Sequence, residues 1–160
     1  MPSTASSEAT GADRKYYLPE GMPAPAANVD GLEAPYWEAV QRHELLVQRC
    51  NECQTYQWGP EWICHRCLSF DMGWTEVAPR GRIFSWERAW YPVHPALQAG
   101  LPYIVVLIEL AQAGDIRMVG NLLGDPEQEV EIGVEVEAVF EDHDDGEEPY
   151  TLVQWRVVGS

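Results

Sequence analysis

The apolar positions change period along the chain, and each change marks a new element. Residues 1–30 have no period: Ala, Pro, Ser and Gly dominate, and the stretch reads as a flexible arm, either a segment that wraps a partner or a plain disordered tail. Tyr36, Trp37 and Val40 then share one helical face behind Pro35, whose fixed φ suits a first turn, so a short helix to about Glu44 is expected. At Leu45, Val47 and Arg49 the period drops to two, which predicts a strand.

From Pro79 onward the pattern is that of strands. Gly81 to Trp90 alternates, placing Phe84, Trp86 and Trp90 on one face in the same parity as Arg82 and Arg88. Tyr103–Leu110 is a dense β-branched run, as in a strand buried on both faces. Ala113-Gly114-Asp115 turns the chain back through Ile116–Leu123. Val134, Val136, Ala138 and Phe140 point inward opposite Glu135, Glu137 and Glu141. Val153, Trp155 and Val157 do so opposite Gln154 and Arg156. Five strands in about eighty residues, with no helix pattern between them, fit a small closed barrel better than a sandwich, and the OB-fold is the natural candidate.

Between helix and barrel lie the only cysteines, Cys50-Asn-Glu-Cys53 and Cys64-His-Arg-Cys67. Two CxxC knuckles ten residues apart suit a tetrahedral zinc site, with an aromatic hairpin between them. Four sulfurs saturate zinc and leave no position for water or substrate, so the site reads as structural, with redox CxxC chemistry or iron as the competing readings. His65, inside the second knuckle, is then surplus as a ligand. The expected organisation is therefore mainly β: an arm (1–30), a helix and lead-in strand (31–48), a rubredoxin-like zinc ribbon (49–78) and a five-stranded OB barrel (79–160).

Charge narrows the function classes. The formal net charge is −16, and from Asp125 to Glu148 there are twelve acids with no Lys or Arg. Arg42, Arg49, Arg66, Arg80, Arg82 and Arg88 cluster instead in the central stretch, which is near neutral. Screening over about 8 Å keeps the acidic end from cancelling them at a distance, so an anion is disfavoured near 125–148 and allowed near the arginines. No apolar run reaches membrane-span length and no apolar signal core stands at the N-terminus, so a reducing cytoplasmic setting is expected.

The order helix, ribbon, barrel resembles the zinc-ribbon/OB-fold family that accompanies acyl-CoA enzymes of the thiolase class. The likeness rests on Pro35-Tyr36-Trp37 before Leu45-Leu46-Val47-Gln48-Arg49-Cys50, and on Gly59-Pro60 leading to Cys64-His65-Arg66-Cys67-Leu68-Ser69. In the barrel it rests on Arg80-Gly81-Arg82-Ile83-Phe84-Ser85, on Pro102-Tyr103 through Leu110, and on Ile132-Gly133-Val134-Glu135-Val136. It covers roughly residues 30–158. The resemblance implies a non-catalytic subunit that binds or channels acyl-CoA beside a thiolase-fold partner acting on carbon–carbon bonds, as in sterol side-chain aldolases, acyltransferases and thiolase–synthase complexes. One departure stands out: Glu61 follows Gly59-Pro60 where the family commonly carries an arginine.

Candidate contacts to CoA or to the partner are Arg66, Arg80, Arg82 and Arg88, whose planar guanidinium holds phosphate bidentately, together with Trp90 and His94. For any single arginine, surface solubility is the competing explanation. His94 has no nucleophile or orienting carboxylate nearby in sequence, and no serine stands in a nucleophile-elbow pattern. No catalytic residue is therefore assigned. The acidic loop Asp142–Pro149 reads as a solvated hairpin, and the proline-stiffened loop Tyr91–Pro102 as a docking surface. The alternative function, binding single-stranded nucleic acid on a ribbon and OB barrel, meets ten basic residues against twenty-six acids. An independent enzyme using His94 is the third possibility.

Overall fold

The computed structural model describes residues 15–26, 31–146 and 148–159. Expectations for residues 1–14 and 27–30 lie outside them.

Helix α1 (Ala34–Val40) carries Pro35 in its first turn and buries Ala39 and Val40. It stops short of Glu44 because His43 takes a left-handed conformation (φ 60°). The His43 ring stacks on Phe140 and its Nε2 sits 2.9 Å from an Asp142 carboxylate oxygen, so a long-range contact fixes the helix exit.

Strand β1 (Leu46–Cys50) is the centre of a three-stranded antiparallel sheet, between β2 (Tyr56–Gln57) and β3 (Met72–Glu76). The lead-in strand is thus the spine of the ribbon. The second sheet has the order β6-β5-β4-β7-β8, with β4 Arg80–Ala89, β5 Tyr103–Leu110, β6 Ile116–Asn121, β7 Glu135–His143 and β8 Tyr150–Val157. All its pairings are antiparallel, and a parallel bridge from Leu122 to Trp155 joins the two ends. This is a nearly closed, OB-like barrel. Closure demands a small residue at the seam. A Cβ on Gly120 would come within 2.7 Å of the Trp155 ring and 2.9 Å of the Val153 carbonyl.

Ribbon, helix and barrel share one core. Val40, Leu45 and Val47 belong to the same buried cluster as Ile83, Ile104 and Trp155. Tyr36 seals the junction, edge-on to Trp58 at 5.0 Å, and its burial pushes the phenol up to about 12.

Four local expectations need correction. In β4, Ile83 pairs with Ile108 while Ser85 pairs with Leu107, so a bulge at Phe84 reverses the parity. Phe84 and Arg82 face out, whereas Trp86 and Arg88 are half-buried. In β5, Ile104, Val106, Ile108 and Leu110 are buried but Val105, Leu107 and Glu109 are only half-covered, so one face makes the core. In β7, Glu141 turns into the structure, its side chain only 13% exposed, to accept from the Tyr17 N–H and pair with His143. In β8, Gln154 is buried because its side-chain oxygen accepts from the Asn121 N–H across the barrel seam.

Candidate functional site: a four-cysteine centre and an acidic cleft

The two knuckles are built alike. In each, the first cysteine N–H donates to a carbonyl five residues on (Cys50 to Thr55, Cys64 to Ser69), and the residue after the second cysteine donates back to the first cysteine's carbonyl. Those following residues, Gln54 and Leu68, both sit at φ 62°, a left-handed turn that folds each thiol pair onto one point. Cys53 N–H then aims at Cys50 Sγ (3.5 Å) and Arg66 N–H at Cys64 Sγ (3.4 Å).

The four sulfurs lie within 4.8 Å of one another, with Cys50–Cys67 and Cys53–Cys64 each at 3.6 Å. Zinc–sulfur bonds of about 2.3 Å set tetrahedral edges of about 3.8 Å, so the donor set fits a structural zinc. Electrostatics agrees. The Thr55 hydroxyl and N–H lower Cys53 to about 6, and the Cys67 N–H lowers Cys64. Cys67 accepts a lowering bond from Ser69 N–H, yet desolvation and the sulfurs of Cys53, Cys50 and Cys64 push it to about 12. Sulfurs this crowded resist full ionisation by themselves, and a dication supplies the missing positive charge.

Two buried glutamines, Gln48 and Gln57, hold the ribbon around this centre, and sequence reasoning missed them. Gln48 donates to the Glu61 carbonyl (2.9 Å) and accepts from the Glu61 N–H (3.1 Å). Gln57 donates to the Ile63 carbonyl and accepts from the N–H and ring Nδ1 of His65. Their alternation with Val47 and Tyr56 in paired strands was the available signal. His65 is exposed and serves this network.

The six candidate ligand contacts are dispersed. Arg66 is exposed on the second knuckle and Arg80 at the start of β4. Arg82 pairs with Glu135 at 2.9 Å. Arg88 lies about 20 Å further along the strand, where it donates to the carbonyls of Pro126 (2.8 Å) and Gln128 (2.5 Å). Trp90 is 60% exposed beside Tyr91 and Val93. His94 accepts from the Ala96 N–H and so caps the 3-10 turn Pro95–Gly100.

None of the six lines the main cleft, a space of 1010 Å³. Its walls come from residues 15–17, the segment 123–127 and strand β7, and they carry Asp125, Glu127, Glu141 and Asp142 against the single ammonium of Lys15. Residues 15–26 are therefore placed against the barrel: Tyr17 OH accepts from the Ile104 N–H (3.1 Å) and Tyr16 stacks on His143 at 3.9 Å.

Residues 37–73 match the family model described as the ChsH2 rubredoxin-like zinc ribbon domain, and residues 74–141 that of the ChsH2 C-terminal OB-fold domain. A probable enoyl-CoA hydratase alpha subunit of Thermomonospora curvata is 39% identical over 114 residues, covering 71% of this chain and 34% of that protein. The 3-oxo-4,17-pregnadiene-20-carboxyl-CoA hydratase alpha subunit of Mycobacterium tuberculosis is 28% identical over 138 residues, 86% of this chain and 41% of that protein. The chain thus spans about a third to two-fifths of these two relatives. A chain of the solved Ltp2-ChsH2(DUF35) aldolase superposes with a TM-score of 0.69 at 34% identity, covering 84% of this chain and 98% of that one. With the ribbon, the barrel and near end-to-end similarity to that chain, this protein belongs to the ChsH2 zinc-ribbon/OB-fold family.

Proposed function

We propose that the chain is a non-catalytic accessory subunit that assembles with a thiolase-fold enzyme acting on carbon–carbon bonds of acyl-CoA thioesters. The observation that carries this reading is its 34% identity across 98% of a chain from the Ltp2-ChsH2(DUF35) aldolase. The chemistry of the site supports it. All four cysteines converge on one centre, which removes them as nucleophiles. The four histidines are engaged in structural contacts: His43 with Asp142, His65 with Gln57, His94 with Ala96 and His143 with Glu141.

Any CoA contact falls to the exposed arginines, Arg66 and Arg80, and to the aromatic loop at Trp90; the acidic cleft repels phosphate. Co-expression with thiolase-fold proteins encoded beside this chain tests the reading. A stable hetero-oligomer is expected that cleaves a β-hydroxyacyl-CoA by retro-aldol reaction, the β-hydroxyl carbon becoming a ketone and the α-carbon taking up a proton to give the shorter thioester. A monomer that neither captures such a partner nor changes its turnover contradicts it.

A second reading follows from the two hydratase alpha subunits, of which this chain matches one part. Under it the assembly adds water to an enoyl-CoA without cleaving carbon–carbon bonds. Product mass separates the two.

A further inference from the structure

The strongest charge asymmetry along the chain is concentrated around the cleft formed by residues 15–17, 123–127 and β7. From Asp125 to Glu148 the sequence has acids and no Lys or Arg, and the fold bends this stretch so that its two ends face each other. Exposed Asp125 and Glu127 stand on one wall and Asp142 on the other, with apolar surface from Tyr17, Leu123 and Phe140 between them. Arg88, bonded to the Pro126 and Gln128 carbonyls, holds the first wall in place. The Thr151 hydroxyl holds the Asp142 carboxyl below the usual aspartate range, and the Lys15 ammonium does the same for Asp145 just beyond the cleft.

We propose that this cleft is the docking site for an arginine-bearing segment of a protein partner, its guanidinium held by Asp125 and Glu127, with Asp142, already bonded to His43 and Thr151, adding negative charge from the opposite wall, and its stem packed on Tyr17 and Phe140.

Two observations favour this occupant. The chain's own N-terminal segment already delivers a cation and an aromatic ring to the same acidic hairpin: Lys15 Nζ meets Asp145 at 2.6 Å while Tyr16 stacks on His143. Elsewhere the molecule uses the proposed combination itself, with the Arg117 guanidinium 3.5 Å over the Phe84 ring and bonded to Glu109. A planar guanidinium satisfies carboxylate and ring together, which an ammonium does less well. A second copy of this chain, at net charge −16, is repelled. A nucleic acid or a CoA phosphate is repelled for the same reason.

This goes beyond the assembly reading and rests on it only in that the occupant is a protein. The test uses the full chain, isotope-labelled, titrated with a short amidated peptide containing arginine and leucine, and with its arginine-to-glutamate counterpart. Amide shifts confined to residues 123–127, 139–142 and 15–17 are expected for the arginine peptide alone, with affinity falling roughly tenfold between low and high salt. Combined D125N and E127Q weakens it about fivefold or more, while E52Q with E76Q, acids on the ribbon, leaves it unchanged; the Asn retains the oxygen that accepts from the Glu127 N–H. Shifts scattered over the surface overturn the proposal, as does equal binding of the glutamate peptide or equal loss in the ribbon variant. Failure here with intact capture of a thiolase-fold partner rejects the cleft and leaves the assembly reading standing.

Discussion

Gly120 shows how one missing side chain closes the barrel. Its Cα faces the Trp155 indole at the seam where β6 meets β8, and a methyl there would press on both the ring and the Val153 carbonyl. Gly120→Ala is expected to cost about 2 kcal/mol through overpacking, read as a lowered Tm with the four-cysteine centre intact by its metal content. An unchanged Tm would mean that the seam yields freely. At this scale the sequence was only partly legible. Phe84 was placed on one face with Trp86 because strict alternation was extended across it, and the bulge separates the two. The apolar spacing from Ile83 to Trp86, three residues where two or four were due, was the missed sign. Glu141 and Gln154 looked exposed because their types are usually exposed. Their partners, Tyr17, His143 and Asn121, come from distant parts of the chain that no local pattern connects.

At the scale of elements, the cysteine spacing was the most legible feature, since two CxxC pairs fix both the turn chemistry and the convergence of thiols. What spacing does not reveal is how far the ribbon's stability extends. Val47 of β1 lies in the same core cluster as Ile104 and Trp155 of the barrel. Structural zinc contributes roughly 10 kcal/mol or more in small modules, so chelation should abolish the ribbon and also lower the barrel's Tm. Circular dichroism in the aromatic region, before and after chelator, measures this. A barrel transition untouched by metal removal would show two independent modules.

The β7–β8 hairpin gives a pH prediction. Asp142 is lowered chiefly by the Thr151 hydroxyl, with His43 assisting. A depressed carboxylate stabilises the fold above the ordinary aspartate range, and the contribution is lost as pH falls through the lowered value, below about 4. The thermal midpoint of Asp142→Asn should therefore fall less steeply than that of the unaltered chain as the pH drops below about 4. An identical profile would remove Asp142 from the linkage.

For the whole molecule, the strand periods and the absence of helix patterns after Pro79 led to the correct barrel, because an OB topology leaves few alternatives for five antiparallel strands in so short a chain. The single shared core was not legible, since contacts between helix α1, β1 and β8 join segments more than a hundred residues apart. Nor was the cleft, which exists only once residues 15–17, 123–127 and β7 meet. No helix among the described residues is long and apolar enough to cross a membrane. The surface that remains combines an acidic cleft with exposed apolar residues, including Trp62 and Phe70 on the ribbon and Trp90, Tyr91 and Val93 on the loop after β4. Exposed apolar residues of this kind accord with the proposed contact with a protein partner.

On the proposed function, this chain supplies structure and the partner supplies catalysis. Steady-state turnover of an acyl-CoA substrate by a thiolase-fold partner, measured alone, with this chain, and with its Cys64→Ser variant, tests it most directly. We predict cleavage only when the intact chain is present, none from the chain by itself, and loss of the stimulated rate with the variant. Full activity of the partner alone, or turnover by this chain without it, would contradict the account.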